Sequence, residues 1–416
     1  MSKSVIIIGG GIIGLCTAYY LQKDGHKVTV IDKSDFSSGA SYINAGYITP
    51  SHIIPLAAPG MINKGIKWMF NSSSPFYVKP RLNYDFLKWS LDFKKSATAK
   101  KVEKAIPIIK DINLLSRELY QEMKNSNEFD FFHQHKGLLM YYQTDKAGEE
   151  EWKTGQRAII EGLKVENLTK EEVQKIERNV DLNIKGAVYY HSDAHMTPNN
   201  FMHQLKNYLL QNGVDIIANE EVLDVDISVG KIKAVKTNKQ KIIADEFVLA
   251  TGSWSQEFGK KVNLKIPIQA GKGYSIMLPK PVVMPKMPSI LVEGSIATTP
   301  MVHGLRFAGT MEIAGTQLYI NQRRVDGIIK AVKDFMPQFK EQNFSDIKEW
   351  AGLRPCTPDG LPYIGRTQKY SNLLVGTGHA MLGWTLGPIT GHLLTQEILG
   401  DQPDYSSQLL EVERYA

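Results

Sequence analysis

Six residues near the start of the chain, Gly9-Gly10-Gly11-Ile12-Ile13-Gly14, restrict the fold more than any other stretch. They follow a β-branched apolar run, Val5-Ile6-Ile7-Ile8, and open an apolar stretch from Ile12 to Lys23 that closes at Asp24-Gly25. The run reads as a strand buried on both faces and the stretch as a helix. His26 to Ile31 reads as a second strand with Asp32 at its end, completing one βαβ unit. Each glycine has its own task in such a turn. Gly9 permits the tight reversal, Gly11 lets backbone approach a pyrophosphate at the helix N-terminus, and Gly14 lets helix and strand pack closely. Asp32 stands where an acid accepts hydrogen bonds from ribose hydroxyls. The unit predicts a bound dinucleotide, and Asp32 followed by Lys33 leaves NAD and FAD both open.

Two later features favour FAD. Phe247-Val248-Leu249-Ala250 reads as a strand ending at Thr251-Gly252, well past the first unit. That is the order expected when a second domain interrupts the nucleotide domain. Near the C-terminus, the strand Asn372 to Val375 runs into Gly376-Thr377-Gly378-His379, and a helix is expected from about Gly383 to Leu399, stopped by Gly400. The N-terminal amides of that helix are expected to face the flavin O2 edge and stabilise negative charge on it.

Between these landmarks, residues 98–126, 146–163 and 200–211 read as helices. Gly137 to Tyr142 and Ala187 to Tyr190 read as strands of a second sheet, and residues 265–320 as strands and glycine turns returning to it. A chain of 416 residues exceeds one ordinary core. Its 43% hydrophobic and 22% charged residues exclude a fibrous or disordered protein.

The net charge of +6 is small for this length, and the lysines are scattered or lie near glutamates, as on solvated helix faces. A basic surface drawing anionic metabolites or lipid is the other reading. No arginine-rich run or RNP-like aromatic motif points to nucleic acid. Cys16 and Cys356 have no CxxC partner, so neither a disulfide framework nor a zinc site is expected, and a reduced, cytoplasmic setting fits best. His133-Gln134-His135 and the pair His191 and His195 lack a matched third ligand, so no metal is expected. The apolar start carries the glycines of a βα turn rather than the h-region of a signal peptide. No run of about 18 apolar residues predicts a transmembrane helix.

Several stretches carry a resemblance to the D-amino acid oxidase/glycine oxidase superfamily of flavoproteins and, within it, to the bacterial D-amino acid dehydrogenases. They are residues Ser41 to Pro50, Ala57-Ala58-Pro59-Gly60, Ile66-Lys67-Trp68-Met69, Gly271 to Ser275, Gly352-Leu353-Arg354-Pro355 with Thr357 to Gly360, and Gly376 to His379 with Leu382-Gly383-Trp384-Thr385. The resemblance spans nearly the full length. It implies an α/β chain in which a Rossmann-like, glutathione reductase-type FAD domain (1–80, 195–265 and 345–416) is interleaved with an α+β substrate domain on a mostly antiparallel sheet (81–194 and 266–344). It implies non-covalent FAD, with Ser41, Asn44, Ala45 and Gly46 along the pyrophosphate and ring. Val222 is placed beside adenine through its backbone, and Gly378, Gly383 and Trp384 at the pyrimidine edge. Ile12, Ile13, Thr251, Gly252, Trp254, Leu382 and Thr385 complete the expected contacts.

Amine dehydrogenation by a flavin needs a carboxylate anchor, a Cα–H aimed at N5 and an unprotonated amine, and no protein nucleophile. Arg354 is the first candidate, because a guanidinium holds a carboxylate by two parallel bonds. The plainer reading pairs it with an acid such as Asp359. Tyr274 and His379 are second candidates, for a substrate hydrogen bond and a donor near the flavin. The alternatives are packing for Tyr274 and capping of the turn for His379. His52 is a candidate for lining the entrance, although a loop histidine is usually only solvated. Cys356 reads as an inert buried thiol. The stretch Ile53 to Phe70 reads as a flap, a membrane-surface contact to quinone, or a packed loop.

The expected activity is oxidation of D-amino acids, D-proline or hydroxy-D-proline among them, with electrons passed to a quinone or other acceptor. The nearest rival is a glycine- or sarcosine-type oxidase using O2. A rival of another class is an NAD-binding or non-catalytic Rossmann protein. A cytoplasmic location, with peripheral contact at the inner membrane face as the variant, accompanies the first reading.

Overall fold

The computed structural model describes residues 1–60, 76–79, 81–345 and 347–416. The Ile66 to Met69 motif and most of the Ile53 to Phe70 stretch lie outside the described residues.

The N-terminal unit forms as its glycines and β-branched residues dictate: strand Ser4–Ile8, helix Ile12–Lys23 and strand Lys27–Ile31. These strands are central in a six-stranded sheet ordered Asp215–Ile217, Lys27–Ile31, Ser4–Ile8, Glu246–Leu249, Leu373–Thr377, Tyr363–Arg366. The first five run parallel, and the last pairs antiparallel as an edge. Val5, Ile7, Val30 and Val248 are buried, as a parallel sheet covered on both faces requires. The helices Ile12–Lys23 and Gly387–Leu399 cross in close contact on one face. A Cβ at Gly391 would lie 2.6 Å from the Cys16 backbone and one at Gly387 2.6 Å from Ile12, so small residues set their separation.

The second large sheet is mostly antiparallel. Its order is Lys348–Cys356, Gln269–Leu278, Gly304–Ile313, Ile296–Met301, Ser289–Leu291, Leu138–Tyr142, Gly186–Tyr190, Val165–Thr169, with Phe76–Val78 pairing on Gly304–Ile313. Two pairings are parallel, those of Ser289–Leu291 with Leu138–Tyr142 and of Phe76–Val78 with Gly304–Ile313. Helix Gln322–Phe335 covers this sheet through Val325, Ile328, Val332 and Phe335. The architecture is the expected one, a doubly covered parallel sheet joined to a mostly antiparallel one. The strand Lys348–Cys356 belongs by hydrogen bonding to the second sheet, which brings Arg354 opposite Gly271.

One element departs from the sequence reading. The C-terminal helix begins at Gly387 rather than Gly383. Residues 379–386 are instead a run of turns, with Leu382 N–H donating to the His379 carbonyl at 2.8 Å and Leu386 N–H to that of Leu382 at 2.8 Å. Pro388, with its fixed φ and missing N–H, suits the first turn of a helix and marks its true start. Among the described residues, no helix is long and apolar enough to cross a membrane, and no three His, Cys, Asp or Glu side chains gather as a metal site. Cys16 and Cys356 are free and buried.

Candidate active site

A cavity of about 1530 Å³ runs from the glycine turn to the second sheet. Small-molecule sites usually measure about 300–1,000 Å³, so this volume suits a dinucleotide together with a further ligand.

At its first end the wall is backbone. Gly9 leaves the strand at φ 110°, and a Cβ there would collide with the Ala250 carbonyl. A Cβ at Gly14 would collide with the carbonyl of Gly9. At Gly11 an added Cβ would meet only Ser41 Oγ, at 3.4 Å, so this peptide faces the cavity unobstructed beside the helix start. Ser41 Oγ accepts the Ile12 N–H at 3.0 Å and ties the second loop to the helix. Asp32 Oδ2 accepts the Gly10 N–H at 2.7 Å, while Oδ1 accepts the Ser34 N–H and hydroxyl, each at 2.7 Å. The acid therefore fixes the turn as well as facing the cavity. Lys33 Nζ lies 3.9 Å above the Trp254 ring, closing this end together with Val222.

Along the middle, Asn44 and Ala45 line the cavity, held from behind by the second sheet. Arg306 Nη1 donates to the Tyr42 carbonyl at 3.2 Å and the Asn44 carbonyl at 2.8 Å, and Thr299 Oγ1 donates to that of Ala45 at 2.7 Å. Burial pushes the Arg306 guanidinium down to about 10. Sequence reasoning missed Arg306, although a lone arginine inside the apolar strand Gly304–Ile313 is a signal that was available. The turn Ala380 to Trp384 also lines the cavity, whereas the first turn of the helix that starts at Gly387 does not.

At the far end stands Arg354. Its guanidinium lies against Gly273, where an added Cβ would occupy the same space, and its Nη1 donates to the Thr310 carbonyl at 3.0 Å. Thr310 holds a left-handed φ of 68° at a bulge, where pairing passes from Lys272–Glu312 to Tyr274–Gly309. The bulge aims that carbonyl at the arginine. Asp359, the acid offered as an alternative partner, is held by Arg414 at 2.8 and 3.1 Å. Among the described residues Arg354 has no carboxylate partner. Burial lowers its pKa, yet a guanidinium keeps its charge.

The remaining candidates divide. Tyr274 is counted among the lining residues of the cavity, but it is buried, and its hydroxyl donates its one proton to Glu312 at 2.9 Å beside the buried Lys272. Of the two readings of Tyr274 this contact favours packing, since the strand's alternation aims its side chain to the face away from Arg354. His379 borders the cavity, but its Nε2 pairs with Thr390 Oγ1 at 2.9 Å, tying the turn to the C-terminal helix. Burial pushes its imidazole down to about 3, so it is neutral. Gly14, Gly46, Gly378 and Thr385 stand behind the wall rather than in it. Gly46 and Gly378 turn the chain at φ 81° and 80°, and Thr385 Oγ1 bridges the Thr49 N–H and the Tyr47 carbonyl, both at 3.2 Å. Thr251, Gly252, Leu382, Gly383 and Ile13 line the cavity. His52 also lines it, and is neutral because burial pushes it down to about 4.

A strand, a glycine turn and an acid shaped for a dinucleotide share one cavity with an arginine that has no carboxylate partner among the described residues. The family model of FAD dependent oxidoreductases (DAO) matches residues 4–397, and the chain belongs to this family. Its cofactor is therefore FAD, which the unobstructed Gly11 peptide and the long cavity accommodate. The NAD-binding and non-catalytic alternatives are set aside. The chain is 34% identical over 395 residues to D-amino acid dehydrogenase of Helicobacter pylori, covering 95% of this chain and 94% of the relative. It is 33% identical over 419 residues to that of Vibrio atlanticus, covering 99% of both. Among solved structures it is similar to glycine oxidase from Geobacillus kaustophilus, with a TM-score of 0.79 and 22% identity over 100% of this chain and 99% of that one. L-proline dehydrogenase from P. horikoshii has a TM-score of 0.75 and 21% identity over 100% and 98%.

Proposed function

We propose that this oxidoreductase dehydrogenates D-amino acids, with cyclic imino acids such as D-proline and hydroxy-D-proline among its substrates. Electrons then pass to a quinone or comparable acceptor. One observation carries this reading: Arg354, a cation without a carboxylate partner among the described residues, on the wall of the flavoprotein cavity. A carboxylate is the ligand that a planar guanidinium takes by two bonds. Bound FAD supplies the hydride acceptor at N5 for the substrate Cα–H. The chain's part is to hold the carboxylate at Arg354, keep the nitrogen unprotonated and exclude water with the apolar wall of Leu56, Phe76, Met140 and Met311. We assign Gly9, Gly11, Asp32, Ser41, Asn44, Ala45 and the Ala380 to Trp384 turn to FAD. Tyr274 and His379 become supports rather than substrate contacts. Residues 1–80, 195–265 and 345–416 would serve the flavin, and 81–194 and 266–344 the substrate, with Lys348–Cys356 carrying Arg354 across to the second sheet.

The helix Tyr84–Ser96 exposes Tyr84, Leu87 and Leu91 in line with Lys94 and Lys95. This row supports contact with an anionic membrane surface, where quinone is available. Co-sedimentation with anionic vesicles, lost in Leu87→Glu, tests it.

The test of function is anaerobic bleaching of the flavin by a panel of D- and L-amino acids. Reduction by D-amino acids or D-imino acids is expected, and a flavin that none of them bleaches ends this reading. A second reading, oxidation of glycine or sarcosine with O2, draws on the likeness to glycine oxidase. Peroxide released at the rate of turnover would establish it.

A further inference from the structure

The loop that carries His52 is anchored to a buried acid. Asp193 is fully buried and accepts three hydrogen bonds, from Ser51 N–H at 3.0 Å, Ser51 Oγ at 2.5 Å and Ser192 Oγ at 2.9 Å. Ser51, itself buried, has its Oγ 3.2 Å from His52 Nδ1. A serine hydroxyl owns one proton, and an ionised carboxylate can only accept. With that proton given to Asp193, Ser51 Oγ can only accept from the imidazole. His52 must therefore carry its own proton on Nδ1, leaving Nε2 bare. Burial pushes Asp193 up to about 7, so the carboxylate form that fixes this arrangement exists on the alkaline side of that value. The order Asp–Ser–His also excludes a nucleophilic serine, whose proton would have to point to the histidine.

His52 lines the cavity, and no residue among those described partners its Nε2. Leu56, Phe76, Met140 and Met311 give this cavity an apolar wall, and Glu151, one of its carboxylates, already accepts the Tyr190 hydroxyl at 2.9 Å. An amino acid with an apolar side chain, such as D-proline, has hydrogen-bond donors only on its nitrogen, because its carboxylate can only accept. We propose that His52 Nε2 accepts a hydrogen bond from the substrate's amino or imino nitrogen, and that Ser51 and Asp193 are the positioning residues that fix its tautomer. This deepens the amino acid reading above and rests on it. Arg354 then holds one end of the substrate and His52 the nitrogen.

The tautomer and the kinetics are measured separately, on FAD-loaded protein. With 15N-labelled histidine, and on the alkaline side of the Asp193 titration, the His52 signals are expected to show protonated Nδ1 and bare Nε2. His52→Gln serves to assign them. Asp193→Asn is expected to reverse the pattern, because an amide would donate to Ser51 and turn the hydroxyl towards Nδ1. In steady state, on a D-amino acid that bleaches the wild-type flavin, His52→Leu is expected to lower kcat/KM about threefold to tenfold with flavin content kept. His52→Gln, which keeps an acceptor near the same place, should stay within about twofold, and Asp193→Asn should fall at least as far as the leucine variant. A protonated Nε2 in the wild type, or an unchanged kcat/KM in flavin-replete His52→Leu, overturns the assignment. If no amino acid bleaches the wild-type flavin, the substrate class fails and this assignment with it. If one does, a silent His52→Leu sinks the histidine alone.

Discussion

The two ends of the cavity are built by different means. The end we assign to the dinucleotide is organised by a local backbone turn, where Gly9, Gly11 and Gly14 lie between adjacent elements. The end we assign to the substrate gathers its groups around side chains from distant segments. Arg354 comes from one strand, the space above Gly273 from the next and the Thr310 carbonyl from a third, while His52 comes from a loop some 300 residues earlier. A backbone site depends on local conformation, whereas a side-chain site depends on strand register. The same substitution, a methyl in place of a glycine hydrogen, therefore has different consequences at the two ends. At Gly9 it meets a carbonyl of the sheet, which cannot move. At Gly273 it meets the tip of an arginine, which can.

The largest effect is expected at the first end. Gly14→Val places its side chain on the Gly9 carbonyl and wedges the helix from the strand. The variant should purify without flavin, judged by the ratio of flavin absorbance to protein. A fully yellow Gly14→Val would break the claim that this end is set by backbone packing. Arg354→Ala comes next, and should retain its flavin while losing about tenfold to a hundredfold in kcat/KM. That corresponds to about 1.5–3 kcal/mol for hydrogen bonds to a charged group. Loss of flavin in that variant would mean that the two ends are not separable. Gly273→Ala should be milder, since the guanidinium swings aside: KM for the amino acid rises several-fold, kcat changes less, and flavin content does not change.

The same contrast decides what the amino-acid sequence reveals. The βαβ unit, the Ala250 to Gly252 turn and Arg354 are legible because each is marked within a few residues by glycines or by a family motif. The start of the C-terminal helix was misplaced by four residues because Gly383 resembles a helix opening, whereas Pro388 is the residue whose fixed φ sets it. The Thr310 bulge was not legible, since nothing in Gly309-Thr310-Met311 says that one strand carries an extra residue opposite its partner. Nor was the Asp193–Ser51 pair, which joins residues 142 apart through a buried hydrogen bond. The choice between the two readings of Tyr274 was not legible for the same reason. Its neighbours mark a strand but not which face of the sheet meets the flavin.

Tyr274→Phe gives the smallest effect and the sharpest distinction between the ends and the frame behind them. The hydroxyl donates to Glu312, whose other oxygen lies 3.7 Å from the buried Lys272 ammonium, itself 3.6 Å above the Tyr319 ring. Removing the hydroxyl leaves Glu312 buried with one donor fewer, at a cost of about 1–3 kcal/mol. The Lys272–Glu312 pair survives, so the carboxylate is not left unpaired. The holoenzyme should therefore melt a few degrees lower, while kcat/KM stays within about twofold and flavin content is unchanged. A kcat/KM loss as large as that of Arg354→Ala, with an unaltered melting midpoint, would put the Tyr274 hydroxyl on the substrate and require the sheet register around Thr310 to be redrawn.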